Sequence, residues 1–468
     1  MTRCALFLVL TLSLQPALHN RPDGPATSIS ARIASARDGD VIEIGPGTYR
    51  EHLRIDKAVR LVGRDQPVID GGGDGDIVEI TAEGAEFSGF VVRDTGIDLD
   101  RENCGIRVLA PRVTITDNVL EDILFGIDLK SASDSVVRGN KIGGKLLDIA
   151  RRGDGLRLWR SDRVVIEDNE IHDGRDAILW YSKGVVVRGN RSFRCRYGFH
   201  LMYSDGVTID ENELSDNSVG VYLMYSKEIK LRRNRITRNR GPSGYGIGLK
   251  ETDRFVIDEN LVAGNRVGIY LDGSPFGAKE PSVIEGNTFA YNDVGMAILP
   301  SVRGNVVTGN NFIDNFEQVS VQGRGELRGN TFSRGDRGNY WSDYVGYDED
   351  RDGIGDYEYA SQTLFENMLD REPKLRVFLL GPAQQAVEFV QRALPAVRPE
   401  AKFTDPAPLM APEIRHAAVS SSQPSGGSLI VVGSVLGALG AAILAMSATG
   451  AGLSRGDQAR DSGEERRS

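Results

Sequence analysis

One short pattern, apolar-x-apolar-x-x-Asn-x-apolar, returns through the middle of the chain. It is centred on Asn118, Asn140, Asn169, Asn190, Asn212, Asn234, Asn260, Asn287, Asn310 and Asn330. The steps between these asparagines are 22, 29, 21, 22, 22, 26, 27, 23 and 20 residues, a spacing that belongs to stacked repeats. Between them lies a second unit, Gly-apolar-x-apolar, as in Gly126-Ile127-Asp128-Leu129, Gly198-Phe199-His200-Leu201, Gly220-Val221-Tyr222-Leu223 and Gly268-Ile269-Tyr270-Leu271. Both units alternate with period two, so each is a short strand with one face inward, and neither run is long enough for a helix.

Two or three such strands per repeat, parted by Gly, Asn and Asp turns, make one coil of a right-handed parallel β-helix. The predicted fold class is all-β: a solenoid of about 22-residue coils stacked about 4.8 Å apart, with equivalent positions superposed. The repeated Asn tolerates a left-handed turn, and its amide can bond to the Asn above and below. Glycines serve the same corners. Leucine-rich repeats share the period, but their Leu framework is missing. Less regular strands precede the repeats, including Val41 to Ile44, Val59 to Leu61 and Phe87 to Val92. The β-helix is therefore expected over residues 28–335, with caps over the open edges of its end strands. Such a stack lengthens without thickening, which reconciles 468 residues with the size limit on a single compact core.

Charge and cysteine content narrow the function. With 56 Lys plus Arg against 66 Asp plus Glu, the net charge of −10 excludes a nucleic-acid binder, which needs a basic face. Three cysteines make neither a disulfide framework nor a thiolate zinc site.

The two ends are addresses. Arg3, the apolar run Cys4 to Leu14, then Pro16 and Ala17 mark residues 1–20 as a secretory signal peptide; a buried strand is the alternative. No charge occurs between His416 and Arg455, and residues 428–446 are apolar or small throughout, enough to span a bilayer. This predicts a C-terminal transmembrane helix, with Gly433 and Gly437 in a G-x-x-x-G spacing, followed by a charged tail at 447–468. A helix buried in a partner, or an unstructured Ala/Gly tail, is the alternative. The expected location is the periplasm, with an inner-membrane anchor at the C-terminus.

Aligning four coils on Leu158, Leu179, Leu201 and Leu223 places the residue after each on the outside: Trp159, Trp180, Met202 and Met224. The residue before each also points outward, giving Arg157, Ile178, His200 and Tyr222, and next in register come Tyr181, Tyr203 and Tyr225. An exposed strip of Trp, Met and Tyr marks an interface. Trp159, Trp180, Tyr181, Tyr203, Tyr222 and Tyr225 are accordingly expected to meet a partner. Two thioethers and an imidazole (Met202, Met224, His200) are also ligands that suit Cu(I). Two readings stand: packing against a partner or the chain's own C-terminal segment, or direct copper contact.

Further along, Asp348-x-Asp350-x-Asp352-Gly353-x-Gly355-Asp356 sets carboxylates at alternate positions, a pattern that can converge on calcium. It is not an EF-hand, since the twelfth position is Tyr359, and a cation-free capping turn is equally consistent. Residues 336–371 are read as an acidic Asp/Gly cap loop, and 372–425, rich in Pro and Ala, as a docking or linker segment. That segment holds a short amphipathic helix near Val387 to Leu394 and an extended run around Met410, which joins the partner residues. Catalysis on acidic polysaccharide is the rival function. Asp154, Asp176, Arg175, His172 and His200 are its candidates, and the reaction would be that of a lyase or epimerase.

The paired coils Phe199-His200-Leu201-Met202-Tyr203-Ser204 and Val221-Tyr222-Leu223-Met224-Tyr225-Ser226, with Gly338-Asn339-Tyr340-Trp341-Ser342-Asp343-Tyr344, carry a resemblance. So does the Asp-Pro-x-Pro-Leu-Met segment at 405–410. Over residues 30–412 the sequence resembles the NosD family, periplasmic accessory proteins for maturation of nitrous oxide reductase. The resemblance implies a non-enzymatic β-helix scaffold working with an ABC-type transporter, both ATPase and permease. It further implies a copper-carrying lipoprotein and the reductase apoprotein as partners in assembling a copper–sulfide centre. His200, Met202 and Met224 then become candidates for transient copper handling or for docking the copper carrier. The predicted C-terminal span departs from that pattern.

Overall fold

A computed structural model describes residues 28–414, apart from 278, 324, 362, 379–380 and 395–398. The predicted signal segment, the span at 428–446 and the tail at 447–468 lie outside the described residues. Among the described residues no helix is long and apolar enough to cross a membrane.

The period-two units fold as predicted into short strands that form three parallel sheets of 12, 13 and 12 strands. The first sheet runs from Val41–Ile44 to Asn305–Thr308, the second from Thr48–Tyr49 to Tyr340–Trp341, and the third from Leu53–Ile55 to Glu317–Val321. Each strand pairs with the equivalent strand of the next coil, so inner positions superpose: Ile166, Val187, Ile209, Leu231 and Ile257 form one buried file in the first sheet. The core is therefore a column of side chains one coil wide.

The asparagines hold the coils together, though not by the expected backbone geometry. Asn118 donates from both its main-chain N and its Nδ2 to Oδ1 of Asn140, at 3.1 and 3.0 Å. The same pair of bonds recurs down the stack. Each Nδ2 also reaches a carbonyl of the preceding coil, as Asn234 does to Ile209 O at 2.9 Å. The left-handed position is the residue before the Asn, with φ of 58° at Asp117, 54° at Asp168 and 57° at Glu211. An Asp, Glu, Arg or Gly there turns the chain, and the Asn that follows points its amide inward.

Asn330 is not the last rung. Asn310 bonds to Asn339 instead, at 3.1 and 2.9 Å, while Asn330 pairs with Asn305 across the first sheet. The last coil carries extra chain, which moves the true rung nine residues onward. Two further ladders flank this one. Asn217, Asn239, Asn265, Asn292 and Asn315 form a second amide file, and the Oγ atoms of Ser182, Ser204 and Ser226 each accept from the main chain of the coil before. The glycines of the Gly-apolar-x-apolar unit also differ from expectation. A Cβ on Gly198 would sit 2.5 Å from Gly220 O, so close coil-to-coil approach, not a corner, requires glycine there.

Both ends are capped. The helix Ile29–Ser35 starts on a Ser28 cap and buries Ile29 and Ile33 over the first coil. At the other end, the region expected as a cap loop and then a linker forms a single lid. Asp405 accepts from Asn339 N at 2.7 Å, from Trp341 Nε1 at 2.9 Å and from Ala407 N at 3.1 Å. A Cβ at Gly338 would collide with the Asp405 carboxylate, so Gly338-Asn339-x-Trp341 and the segment from Asp405 are two halves of one cap. The chain from 402 to 410 is thus packed structure rather than a tether. The amphipathic helix is longer than expected, Pro382–Ala393, and is preceded by the helix Leu364–Arg371. From the latter, Asp370 accepts from Val321 N and Ser320 Oγ, both at 3.0 Å, closing the open edge of the third sheet.

The outer face of the third sheet begins as a buried charge network. Asp128 lies between Arg107 and Arg157, with bonds of 2.7 and 2.8 Å, and Glu102 accepts from Arg157 and Lys130. These hydrogen bonds, Arg157's first, hold the Glu102 carboxyl at about 2 against the opposing effect of burial.

Two predictions follow from these packing arrangements. Asn234→Ala removes the acceptor of both Asn212 donors inside the stack and should cost about 2–4 kcal/mol, read as a lower urea midpoint. Glu102 has a folded pKa below its unfolded one, so its stabilisation is complete at neutral pH and lost as pH falls from about 4.5 towards 2. Between about pH 5 and about pH 3 the urea midpoint of the native chain should therefore fall further than that of Glu102→Gln; equal losses would refute the network's role.

Candidate functional site

The predicted register across the four coils is the observed one. Leu158, Leu179, Leu201 and Leu223 are successive partners, so Trp159, Trp180, Met202 and Met224 form one outer file with Lys130 before it and Lys250 after it. The strip is less open than expected. Trp159, Trp180, Met202, Met224, Tyr222 and Tyr225 are half-buried, His200 is 6% exposed, and only Tyr181 and Tyr203 are exposed, at 40% and 41%. The cause is lateral: long side chains on one coil lie over the next. Met410 belongs elsewhere. It sits on the C-terminal cap with its main-chain N bonded to Gly353 O, and the structure does not bring it to the strip.

Three tyrosines in this strip sit where the chain turns left-handed, with φ of 51° at Tyr181, 52° at Tyr203 and 53° at Tyr225. A bulky side chain there costs about 1–2 kcal/mol. Stacking offsets part of that cost: the Tyr181 and Tyr203 rings are 5.1 Å apart and nearly parallel, and Tyr203 and Tyr225 are 5.0 Å apart. The turn also sends the next residue inward, which is how Ser182, Ser204 and Ser226 reach their ladder. Beside them, Trp159 meets Trp180 edge to face at 5.2 Å. Trp180 Nε1 is buried without a hydrogen-bond partner among the described residues.

His200 is held on both ring nitrogens. Asp176 Oδ2 lies 3.2 Å from Nδ1, and Met224 Sδ lies 3.3 Å from Nε2. Burial raises the Asp176 pKa, but hydrogen bonds from His200 and Arg196 more than offset it and keep the carboxyl below its ordinary range. An ionised carboxylate only accepts, so Nδ1 carries the proton toward Asp176, and Nε2 is turned to the Met224 sulfur. Tyr197 packs edge-on against the imidazole at 4.9 Å, and Tyr222 lies along its other side at 6.2 Å. Met202 is the strand partner of Met224 one coil away. The expected trio is therefore one neighbourhood, with a direct His200–Met224 contact at its centre.

The carboxylates weighed for polysaccharide chemistry lie in the same region and are occupied. Asp154, 3% exposed, is bonded to Arg175 at 2.9 Å, and burial raises its pKa. Asp176, 0% exposed, serves Arg196 and His200. His172 sits apart, bonded to Asp173 at 2.8 Å and stacked on Phe193. Sequence reasoning missed Tyr197, Arg196 and Tyr245, which line the outer face; the signal was the position three before His200 and its equivalents, where Tyr197 and Tyr245 alternate with Val219 and Val267.

The acidic loop is a closed turn. Asp348 accepts from the main-chain N of Arg351, Asp352 and Gly353, and Asp356 accepts from Glu349 N at 2.7 Å. Asp348, Asp350 and Asp352 bring carboxylate oxygens within 4.8 Å of one another, whereas Asp356 closes the loop's neck and stands outside that group.

Comparison with known proteins bears on the whole chain. Residues 138–346 match a family model described as periplasmic copper-binding protein (NosD). A probable ABC transporter binding protein NosD from Pseudomonas aeruginosa is 30% identical over 369 residues, covering 76% of this chain and 85% of that protein. Its counterpart from Stutzerimonas stutzeri is 32% identical over 117 residues, 25% of this chain and 26% of that one. Among solved structures, the A-module of Azotobacter vinelandii mannuronan C-5 epimerase AlgE6 aligns with a TM-score of 0.45 at 18% identity, covering 65% of this chain and 92% of its own. The catalytic domain of a GH87 α-1,3-glucanase aligns at 0.47 and 14%, covering 70% and 71%. At these scores the structural likeness speaks to neither substrate nor chemistry. The long match to the Pseudomonas protein places the chain in the NosD family.

Proposed function

We propose that this chain is a periplasmic, non-enzymatic scaffold that handles copper and works with an ABC-type transporter, ATPase and permease together, in maturing nitrous oxide reductase. Copper is cargo on this reading, received from a copper-carrying lipoprotein and passed toward the reductase apoprotein. The observation that carries the reading is the His200 Nε2 to Met224 Sδ approach of 3.3 Å. An imidazole nitrogen beside a thioether sulfur is a donor pair suited to Cu(I). Asp176 behind the ring is the kind of carboxylate that fixes a ligating histidine's tautomer and orientation. Met202, one coil away, supplies a second soft donor in reach of a shifting ion.

The surroundings support a transfer site rather than a storage site. His200 is nearly covered, while Tyr181 and Tyr203 on the same strip are exposed and stacked, so a protein docked on the strip would cover the coil that carries the imidazole. The family description and the relatives' names, copper-binding and transporter-binding, agree with this assignment. Asp154 and Asp176 act here as supports, each neutralised by an arginine.

Competition between the purified chain and a chromophoric Cu(I) chelator tests the reading. Met224→Ala and His200→Ala should each weaken Cu(I) retention at least tenfold, about 1.4 kcal/mol or more. In cells, the double variant Met202→Ala with Met224→Ala should leave the reductase copper-depleted. Full copper loading in that strain, with unchanged chelator competition, would sink the assignment.

A further inference from the structure

The C-terminal cap holds a second place with the marks of a binding site, remote in sequence from the copper-handling residues. A cavity of about 440 Å³ opens beside the acidic loop. Tyr344, Tyr347, Tyr357 and Tyr359 line it together with Asp343 and Glu366. The rings do not lie flat on one another. Tyr344 and Tyr359 are inclined at 66° with centroids 6.4 Å apart, and Tyr347 and Tyr357 at 60° with centroids 5.3 Å apart. Each pair meets edge to face, and the two pairs together border the cavity. Tyr359 is 8% exposed and forms the floor, while Tyr347 and Tyr357, 51% and 58% exposed, form the rim.

These walls are fixed. The Tyr344 hydroxyl donates to Tyr357 O at 2.5 Å, tying the two ends of the acidic loop. Gly346 and Gly355 are required there, since a Cβ at either would lie within about 2.1 Å of the Tyr344 hydroxyl. The Tyr359 hydroxyl donates to Asp343 Oδ2 at 3.1 Å. Glu366, its side chain 17% exposed, accepts from Ser361 Oγ at 3.4 Å, and its nearest described cation is Lys402 at 3.7 Å. Lys402 is engaged more closely with Asp370 at 2.7 Å and Glu317 at 3.1 Å. Burial raises the Glu366 pKa, with Lys402 only partly offsetting it, which fits a carboxylate whose counter-charge is incomplete.

The segment that forms the cavity is predominantly acidic. From residue 343 to 366 there are eight Asp or Glu and one basic residue, Arg351. A concave, one-signed surface concentrates field and draws cations. Rings with negative faces around such a space are the arrangement that recognises organic cations. Metal chelation needs convergent oxygens, and the group of three carboxylates that converges among the described residues is Asp348, Asp350 and Asp352, not the cavity's pair.

We propose that this cavity binds an organic cation, an alkyl chain ending in a primary ammonium or a guanidinium, with the head at Glu366 and Asp343 and the stem against the rim formed by Tyr347 and Tyr357. The head group comes either as a free small molecule or as a Lys or Arg side chain on a partner protein. The site is independent of the copper reading, and neither depends on the other's outcome.

Titration calorimetry on the full chain tests this with n-butylammonium, n-butylguanidinium, n-butanol as the neutral isostere, and blocked Gly-Lys-Gly and Gly-Arg-Gly peptides. The butyl cations should bind saturably, and n-butanol should not. Glu366→Gln and Tyr347→Ala should each weaken that binding at least tenfold, and Tyr347→Ala changes a rim residue, so it remains informative if the other variant fails to fold. Peptides that bind tenfold tighter than the butyl cations identify a protein side chain as the source; equal affinities identify a free cation. Binding of n-butanol as strong as that of the cations, no saturable heat with any cation, or binding untouched by both variants would overturn the proposal.

Discussion

Every corner of this solenoid must hide polar backbone, and the side-chain amide ladders make that possible. A turn buried between two coils leaves N–H and C=O groups with no strand partner, each costing about 1–3 kcal/mol if left unmade. An asparagine solves the problem three ways at once: its Oδ1 takes two donors from the coil before, its Nδ2 donates onward, and the same Nδ2 reaches a spare carbonyl. Since each rung serves its neighbours, coil spacing and register are set together. The sheets, the apolar column and the alignment of outer files all depend on that registration.

Registration is also what makes the outer face of the third sheet a graded surface. One file reads Arg107, Asp128, Arg157, Ile178, His200, Tyr222, then Gly248 and Tyr270. Its first half is ionic and internally neutralised; its second half is aromatic. His200 stands at the join, with a carboxylate and an arginine on one side and tyrosines and a methionine on the other. The imidazole there is held by a carboxylate at one ring nitrogen, while the other meets a thioether away from the charge network. The site is thus a product of position along the stack as much as of residue identity.

Much of this was legible in the residues themselves. A two-residue alternation broken at fixed intervals by Asn or Gly identifies strands and turns, and the shared leucines fix register, so Trp159, Trp180, Met202 and Met224 fall in line without coordinates. Burial was not legible, because it depends on how far Arg196, Tyr197 and Tyr222 lean across neighbouring coils, and no sequence period records that. The Asn330 rung was misplaced since the motif recurs there by composition while the chain takes a longer path to Asn339. The cap was read as two unrelated segments for a similar reason: Gly338 to Trp341 and Asp405 to Leu409 lie more than sixty residues apart and are joined through the Asp405 carboxylate and main-chain bonds that no local pattern records. The lid that makes the tyrosine cavity was invisible on the same ground.

The ladder has a direction. Every asparagine donates toward the C-terminal coil, so the file is a chain of aligned amide dipoles whose donor end arrives at Asn339. There it meets Asp405, which accepts from Asn339 and Trp341 and has, as a carboxylate, nothing to pass on. In the language of polymer growth, the asparagines propagate and the aspartate terminates. A solenoid that ended in one more asparagine would present live donors to the first coil of another molecule. One oxygen-only side chain in place of an amide gives the stack a finite length and two chemically different ends.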